Sequence, residues 1–251
     1  MKRYVLIILL AGAGGFGAPT DTACQVAQPL YIIDHPTAGL LDHGSYLVRA
    51  KAGPESSLLA EAGVGFKNFF HIGASFGMQN VLGYGSPELN DRIGFQLRLR
   101  IIEESNAPAL AIGLDTQGQG RYDEDLERYQ RKSAGFYVVV SKNYMLALGD
   151  AAFHGGVSFT TEREDDDDPN LFLGADWTIL KRLAFVLDID AALNDNAKGS
   201  RFGRGGVYLD GAVRWFYGES LMMTLVFRDL TGNGPTRSVG REFELAIIDF
   251  F

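Results

Sequence analysis

The stretch Leu183-Ala184-Phe185-Val186-Leu187-Asp188-Ile189-Asp190-Ala191-Ala192-Leu193 decides the fold. Leu183, Phe185, Leu187, Ile189, Ala191 and Leu193 occupy every second position, and Asp188 and Asp190 fall between them. Successive side chains of a strand point to opposite faces, so one face is greasy and the other carries charge. The same rhythm recurs on either side. In 92–102, Ile93, Phe95, Leu97, Leu99 and Ile101 alternate with Gly94, Gln96, Arg98 and Arg100. In 207–217, Val207, Leu209, Val213 and Trp215 alternate with Tyr208, Asp210, Ala212 and Arg214. In 69–79, Phe70, Ile72, Ala74, Phe76 and Met78 alternate with His71, Gly73, Ser75 and Gly77. From residue 44 to the end this gives about twelve segments near the ~10-residue length of a tilted membrane strand. The patterns near 44–53 and 146–159 are weaker, so the count is open by two.

A soluble β-sandwich also alternates, with its apolar face turned inward. Two features favour a barrel in lipid. Short turns near Lys67-Asn68, Ser105-Asn106, Asn143-Tyr144, Lys181-Arg182 and Tyr217-Gly218-Glu219 alternate with long polar loops near 80–91, 117–132, 161–169, 194–205 and 230–240. That rhythm matches periplasmic turns and extracellular loops. The short-turn side also collects aromatics, among them Phe66, Phe69, Phe70, Tyr144, Trp177, Trp215, Tyr217 and Phe250, as a membrane interface does. The expected fold is all-β: a transmembrane antiparallel up-and-down β-barrel of about twelve strands, preceded by an N-terminal signal peptide. The expected location is the outer membrane of a Gram-negative bacterium, with lipid as the surrounding partner.

The two ends of the chain agree. Lys2 and Arg3 precede an apolar run from Tyr4 to Leu10 and a small-residue stretch to Ala18, which reads as a secretory signal peptide over 1–23. The other reading is an uncleaved anchor, for which the run is short against the ~20 residues of a spanning helix. Residues 24–43, with Pro29 and Pro36, read as a periplasmic lead-in, and 44–251 as the barrel. At the far end Phe243, Leu245, Ile247 and Phe251 resemble the C-terminal signature that the bacterial barrel assembly machinery recognises. Asp249 departs from it.

Of 251 residues, 31 are Gly and 12% are aromatic, as suits strands that meet lipid at alternate positions. The net charge of -8 argues against nucleic acid as a partner. One cysteine, Cys24, allows neither an internal disulfide nor a Cys-based zinc cluster, and Asp21-Thr22-Ala23 before it lacks the aliphatic residue of a lipobox.

No catalytic, metal or cofactor site stands out. The acidic run Glu162 to Asp168 offers oxygen ligands without the spacing of a calcium loop, and reads as solvated. A second acidic run, Asp123-Glu124-Asp125 with Glu127, follows Asp115-Thr116-Gln117-Gly118-Gln119-Gly120, whose glycines lack phosphate-loop spacing. Barrel-form lipases use a His-x-Ser on the lipid-facing side. Here His71 and Ser75, and His154 and Ser158, lie four apart and face inward, so an enzyme is not expected.

The inward set is the informative chemistry: Arg49, Glu61, His71, Arg98, Arg100, Asp115, His154, Asp176, Asp188, Asp190, Asp210, Arg214, Glu242 and Glu244. Opposite charges can pair across a narrow bore and fill it, or stand as two walls of a water-filled channel. Twelve strands lies between the filled eight-stranded barrel and the open porin. In the channel reading Arg98, Arg100, Asp188, Asp190, Asp210 and Arg214 line the path of small or saccharide-like solutes. Contact of Arg98 or Arg100 with Asp188, Asp190 or Asp210 would instead mark a closed bore. The inward glycines Gly63, Gly65, Gly73, Gly77, Gly94, Gly113 and Gly174 provide either space or curvature.

The pieces Leu171-Phe172-Leu173-Gly174-Ala175-Asp176-Trp177, Phe185 to Asp190, Gly113-Leu114-Asp115-Thr116-Gln117-Gly118 and Gly135 to Lys142 resemble YjbH-type outer-membrane proteins, which are associated with exopolysaccharide production and export. The resemblance covers about half of the mature chain in short pieces, and those proteins are longer. It implies an envelope role, with polysaccharide as a possible partner, and supplies no catalytic residue. The alternative function is therefore a non-conducting envelope barrel that supports exopolysaccharide export, or surface interactions through its acidic loops.

Overall fold

The computed structural model describes residues 29–81, 86–162, 166–196, 201–235 and 238–251. The expected signal peptide over 1–23 and Cys24 lie outside the described residues. In chain order the strands are β1 (Ser45–Gly53), β2 (Ser57–Phe66), β3 (Phe70–Gln79), β4 (Glu88–Ile102), β5 (Ala109–Asp115), β6 (Gln119–Asp123), β7 (Arg128–Arg131), β8 (Gly135–Leu146), β9 (Gly149–Phe159), β10 (Asn170–Ile179), β11 (Leu183–Asp190), β12 (Tyr208–Tyr217), β13 (Leu221–Arg228) and β14 (Gly240–Phe250). Twelve of them close an antiparallel barrel, in which β5 pairs with β8 across the excursion of β6 and β7. Ser45 of β1 lies opposite Phe250 of β14, which completes the ring and leaves no edge.

The alternation read from the sequence maps onto the two faces of this wall. Phe95, Phe136, Leu173 and Phe153 are more than half exposed on the outside, while Arg98, Asp188, Asp210 and Arg214 are buried within. Apolar outside and charged inside is the reverse of a protein that faces water. In a closed barrel with an even number of strands, it is the build of a protein of the bacterial outer membrane.

The short turns gather at the end where β1 begins and β14 finishes. Lys67 and Asn68 both have positive φ (50° and 57°), as do Leu180 and Lys181 (53° and 55°). Positive φ at both central residues of the turns closed by Phe69 N on Phe66 O and Arg182 N on Ile179 O matches the twist of the strands they join. The turn expected at Asn143-Tyr144 sits at 147–148, because β8 continues pairing to Leu146 opposite Gly149.

Residues 29–43 depart from the expectation of a lead-in outside the barrel. They enter the bore at the short-turn end and fold back inside it. Ile32 N donates to His35 O at 2.9 Å and Thr37 N to Leu30 O at 3.0 Å, and Tyr31 bridges Pro36, so 30–37 form a tight hairpin. Leu30, Tyr31, Ile32, Ile33, Ala38 and Leu41 are all buried. Ile32 and Ile33 pack with Ala109, Ala111, Val139, Phe172, Val186, Ala212 and Val226 from the inner wall. The hydrophobic core of the molecule is thus the contact between hairpin and wall. Each isoleucine taken out of water there contributes about 2 kcal/mol.

Candidate functional site

The bore and its hairpin form the site. Among the described residues the hairpin's backbone bonds to itself, and wall side chains hold it in place. Arg98 of β4 donates through Nη1 to Leu30 O and Gly39 O, both at 2.8 Å, and through Nε to the Tyr137 hydroxyl of β8 at 2.8 Å. Arg214 of β12 donates to Ile32 O at 2.6 Å and Tyr31 O at 3.3 Å. The Tyr31 hydroxyl donates to Asp115 at 2.9 Å, and Ala38 N to Ser141 Oγ at 2.8 Å.

Asp188 of β11 receives the bend of the hairpin. Its Oδ2 accepts the consecutive amides of Ile33, Asp34 and His35 at 3.0–3.3 Å, and its Oδ1 lies 2.8 Å from His35 Nδ1. Three amides converging on one oxygen make an anion nest. The His35 ring stacks on Phe172 at 4.7 Å, and its other nitrogen lies 3.8 Å from Asp190. Burial pulls the His35 pKa down, but Asp188, Asp190 and Asp34 outweigh it and hold the ring at about 9. The hairpin is therefore docked with an imidazolium between carboxylates.

Asp188 stands directly opposite Asp210 on the neighbouring strand. Like charges facing one another across a ladder are destabilising. Asp188 is matched by His35 of the hairpin, and Asp210 by Arg131 of β7 at 2.5 Å and Arg228 of β13 at 3.2 Å. Asp188 is therefore charge-matched only with the hairpin in place.

Long loops fold over the other end. Arg128 of β7 forms a two-point ion pair with Asp195, both bonds at 2.9 Å. Glu162 accepts the amides of Tyr129 at 2.8 Å and Ser133 at 2.6 Å. Lys132 reaches Asn194 O at 2.8 Å and Asp166 O at 3.0 Å. Residues 128–133 are thus joined to Glu162, Asp166, Asn194 and Asp195 of the neighbouring loops, and β7 brings Arg131 to Asp210 in the bore. The run Asp123-Glu124-Asp125 turns the β6–β7 hairpin, with Asp123 Oδ1 accepting the amides of Asp125 and Leu126 at 3.1 Å. Residues 163–165 of the other acidic run lie outside the described residues.

Of the six residues expected along the path, Arg98, Asp188, Asp210 and Arg214 hold the hairpin or its loop partner. Asp190 accepts from Asn170 at 2.7 Å and Ala192 N at 2.8 Å. Arg100 stands apart near the short-turn end, 3.9 Å from Glu103. Among the described residues Arg98 and Arg100 pair with none of Asp188, Asp190 and Asp210, and it is the chain's own hairpin that occupies the interior. Phe243, Leu245, Ile247 and Phe251 project outward from the last strand.

His154, read as facing inward, is buried in the bore and hydrogen-bonded there. His154 lies 2.8 Å from Ser141 through Nδ1 and 2.9 Å from Asp176 through Nε2. Ser, His and acid are thus within hydrogen-bond reach on β8, β9 and β10. The Ser141 hydroxyl already accepts Ala38 N, so the chain of three fixes the returning arm of the hairpin.

Sequence reading missed Tyr31, Asp34, His35, Lys51, Arg131 and Arg228. A signal was available: Leu30-Tyr31-Ile32-Ile33 between Pro29 and Pro36 is too apolar for a strand of linker in water.

No protein-family model matches the chain, and no curated protein matches it. Among solved structures, the NanC porin is similar over 82% of this chain and 99% of its own, at 9% identity and a TM-score of 0.49. Omp33 of Acinetobacter baumannii is similar over 84% of this chain and 99% of its own, at 9% identity and 0.49. The KdgM porin is similar over 82% and 99%, at 10% identity and 0.47.

Proposed function

We propose that this chain is an outer-membrane channel for small or saccharide-like solutes, closed at rest by its N-terminal hairpin. The observation that carries the reading is the manner of docking. The hairpin joins no ladder of the wall, and side chains on several strands hold it at carbonyls, amides and one carboxylate. Such an insert can leave without breaking the barrel. Its departure would line the bore with Arg98, Arg100, Asp188, Asp190, Asp210 and Arg214. In this reading the chain is exported by the signal peptide over 1–23, is inserted by the barrel assembly machinery through its last strand, and is not an enzyme.

The alternative is a non-conducting envelope barrel that supports exopolysaccharide export or presents its acidic loops. The interlocked loops over the mouth favour it.

A tether separates the two. Ile32 Cγ2 and Cγ1 lie 2.7 and 3.0 Å from where a Cβ on Gly174 would stand. That is close enough for a disulfide between Ile32→Cys and Gly174→Cys, made in a Cys24→Ser background. The channel reading expects no current in a planar bilayer while the tether is oxidised, and stable steps once it is reduced. Silence in both states, from a barrel that migrates as folded, would move the assignment to the alternative.

A further inference from the structure

Asp34 stands at the bend of the hairpin, toward the long-loop end, among three cationic head groups from three elements. Arg228 of β13 binds both of its oxygens, with Nη2 3.0 Å from Oδ1 and Nη1 on Oδ2. Lys51 of β1 lies 3.5 Å from Oδ1, and Arg131 of β7 lies 3.4 Å from Oδ2. The cations are oriented from behind without Asp34. Asp210 holds Arg131 at 2.5 Å and Arg228 at 3.2 Å, Glu242 holds Arg228 at 2.7 Å, and the Tyr208 ring lies 3.9 Å beneath Arg131.

Lys51, Arg131 and Arg228 belong to the wall and the loop, whereas Asp34 belongs to the hairpin. With Asp34 withdrawn, Arg49, Lys51, Arg131 and Arg228 remain against Glu61, Asp210, Glu242 and Glu244. These eight balance one another, while Asp188 and Asp190 lose His35 with the hairpin, so the cationic part of the vacated wall is the fork of Lys51, Arg131 and Arg228 where the carboxylate was. A planar monoanion fits this fork, since guanidinium and carboxylate share a two-point geometry. A doubly charged phosphate meets Asp210 and Glu242 at close range, which disfavours it.

We propose that this clasp is a binding site for the carboxylate of a small solute, and that Asp34 is its built-in occupant when the bore is closed. The inference rests on the channel reading and names the solute class it serves. A carboxylate arriving from the long-loop end competes with Asp34, so binding and release of the hairpin are two sides of one equilibrium.

The test uses the refolded chain in detergent, as wild type, Asp34→Ala, Asp34→Asn and Asp34→Ala with Arg228→Gln. The probes are N-acetyl-aspartate and its neutral counterpart N-acetyl-asparagine, titrated by calorimetry. The expected result is that Asp34→Ala and Asp34→Asn bind the acid about tenfold more tightly than the amide. Wild type binds the acid more weakly than either variant, because its own Asp34 competes, and Arg228→Gln removes the preference for the acid. Equal binding of acid and amide, or none, by both folded Asp34 variants would overturn the proposal. The tether experiment judges conduction separately. A barrel that conducts without preferring the acid loses the site alone, and one that prefers the acid without conducting loses the channel alone.

Discussion

At the scale of single residues, small side chains and paired charges decide whether the hairpin is seated. A Cβ at Gly174 would stand 2.5–3.0 Å from three atoms of Ile32, so the inward glycine is there for space. Gly174→Val should therefore loosen the hairpin by about 1–3 kcal/mol, the cost of overpacking a filled core. Amide exchange of 29–43 should accelerate accordingly, with the barrel strands unchanged; unaltered exchange would refute the close fit. His35 supplies a pH dependence with a definite sign. Its pKa rises from 6.5 to about 9 on docking, so protonation supports the hairpin fully below about 6.5. That support fades as pH climbs through about 9. Channel opening in bilayers should rise over that interval, and His35→Asn should flatten the profile.

Among the elements, the β6–β7 hairpin is anchored by a buried ion pair. Arg128 is fully buried, and its guanidinium meets Asp195 in a two-point ion pair. Removing one partner of a buried pair costs about 3–5 kcal/mol, because the other charge is left behind. Arg128→Ala should free the β6–β7 hairpin, which limited proteolysis would report as cleavage within 119–131 of a barrel that stays whole. Resistance equal to wild type would show that the remaining contacts through Glu162 and Lys132 suffice. The barrel strands, by contrast, were legible in the sequence, because most show the alternation that burial on one side imposes, with β1 and β9 the weak ones. The hairpin at 30–37 was not, since eight residues folded back on themselves around Pro36 have no period to read.

For the whole molecule, the ring of ladders closes without residues 29–43. A chain lacking them should still refold into a barrel that resists unfolding in detergent until heated. It should then pass current continuously, in contrast to the intact protein. A deleted chain that fails to form a heat-modifiable barrel would make the hairpin a structural core instead of a closure. The tension within the wall bears on this outcome. Asp188 and Asp210 face one another in register, and Asp188 loses His35 when the hairpin goes, while Asp210 keeps Arg131 and Arg228. The deleted barrel should accordingly be less stable than the intact one.

The sequence by itself determined the barrel, its inside and outside, and the charged groups that face inward. Alternation is local, and a one-residue slip would turn every side chain to the wrong face. Tertiary structure alone decided what those inward charges do. Arg98, Arg214, Asp188 and Asp210 could equally have met water, each other, or a part of the chain far away in sequence. They meet a hairpin some 60 to 180 residues distant and a loop folded down from the rim. Such partners are chosen by which groups closure of the ring brings within reach of one another, and no periodicity along the chain encodes that choice.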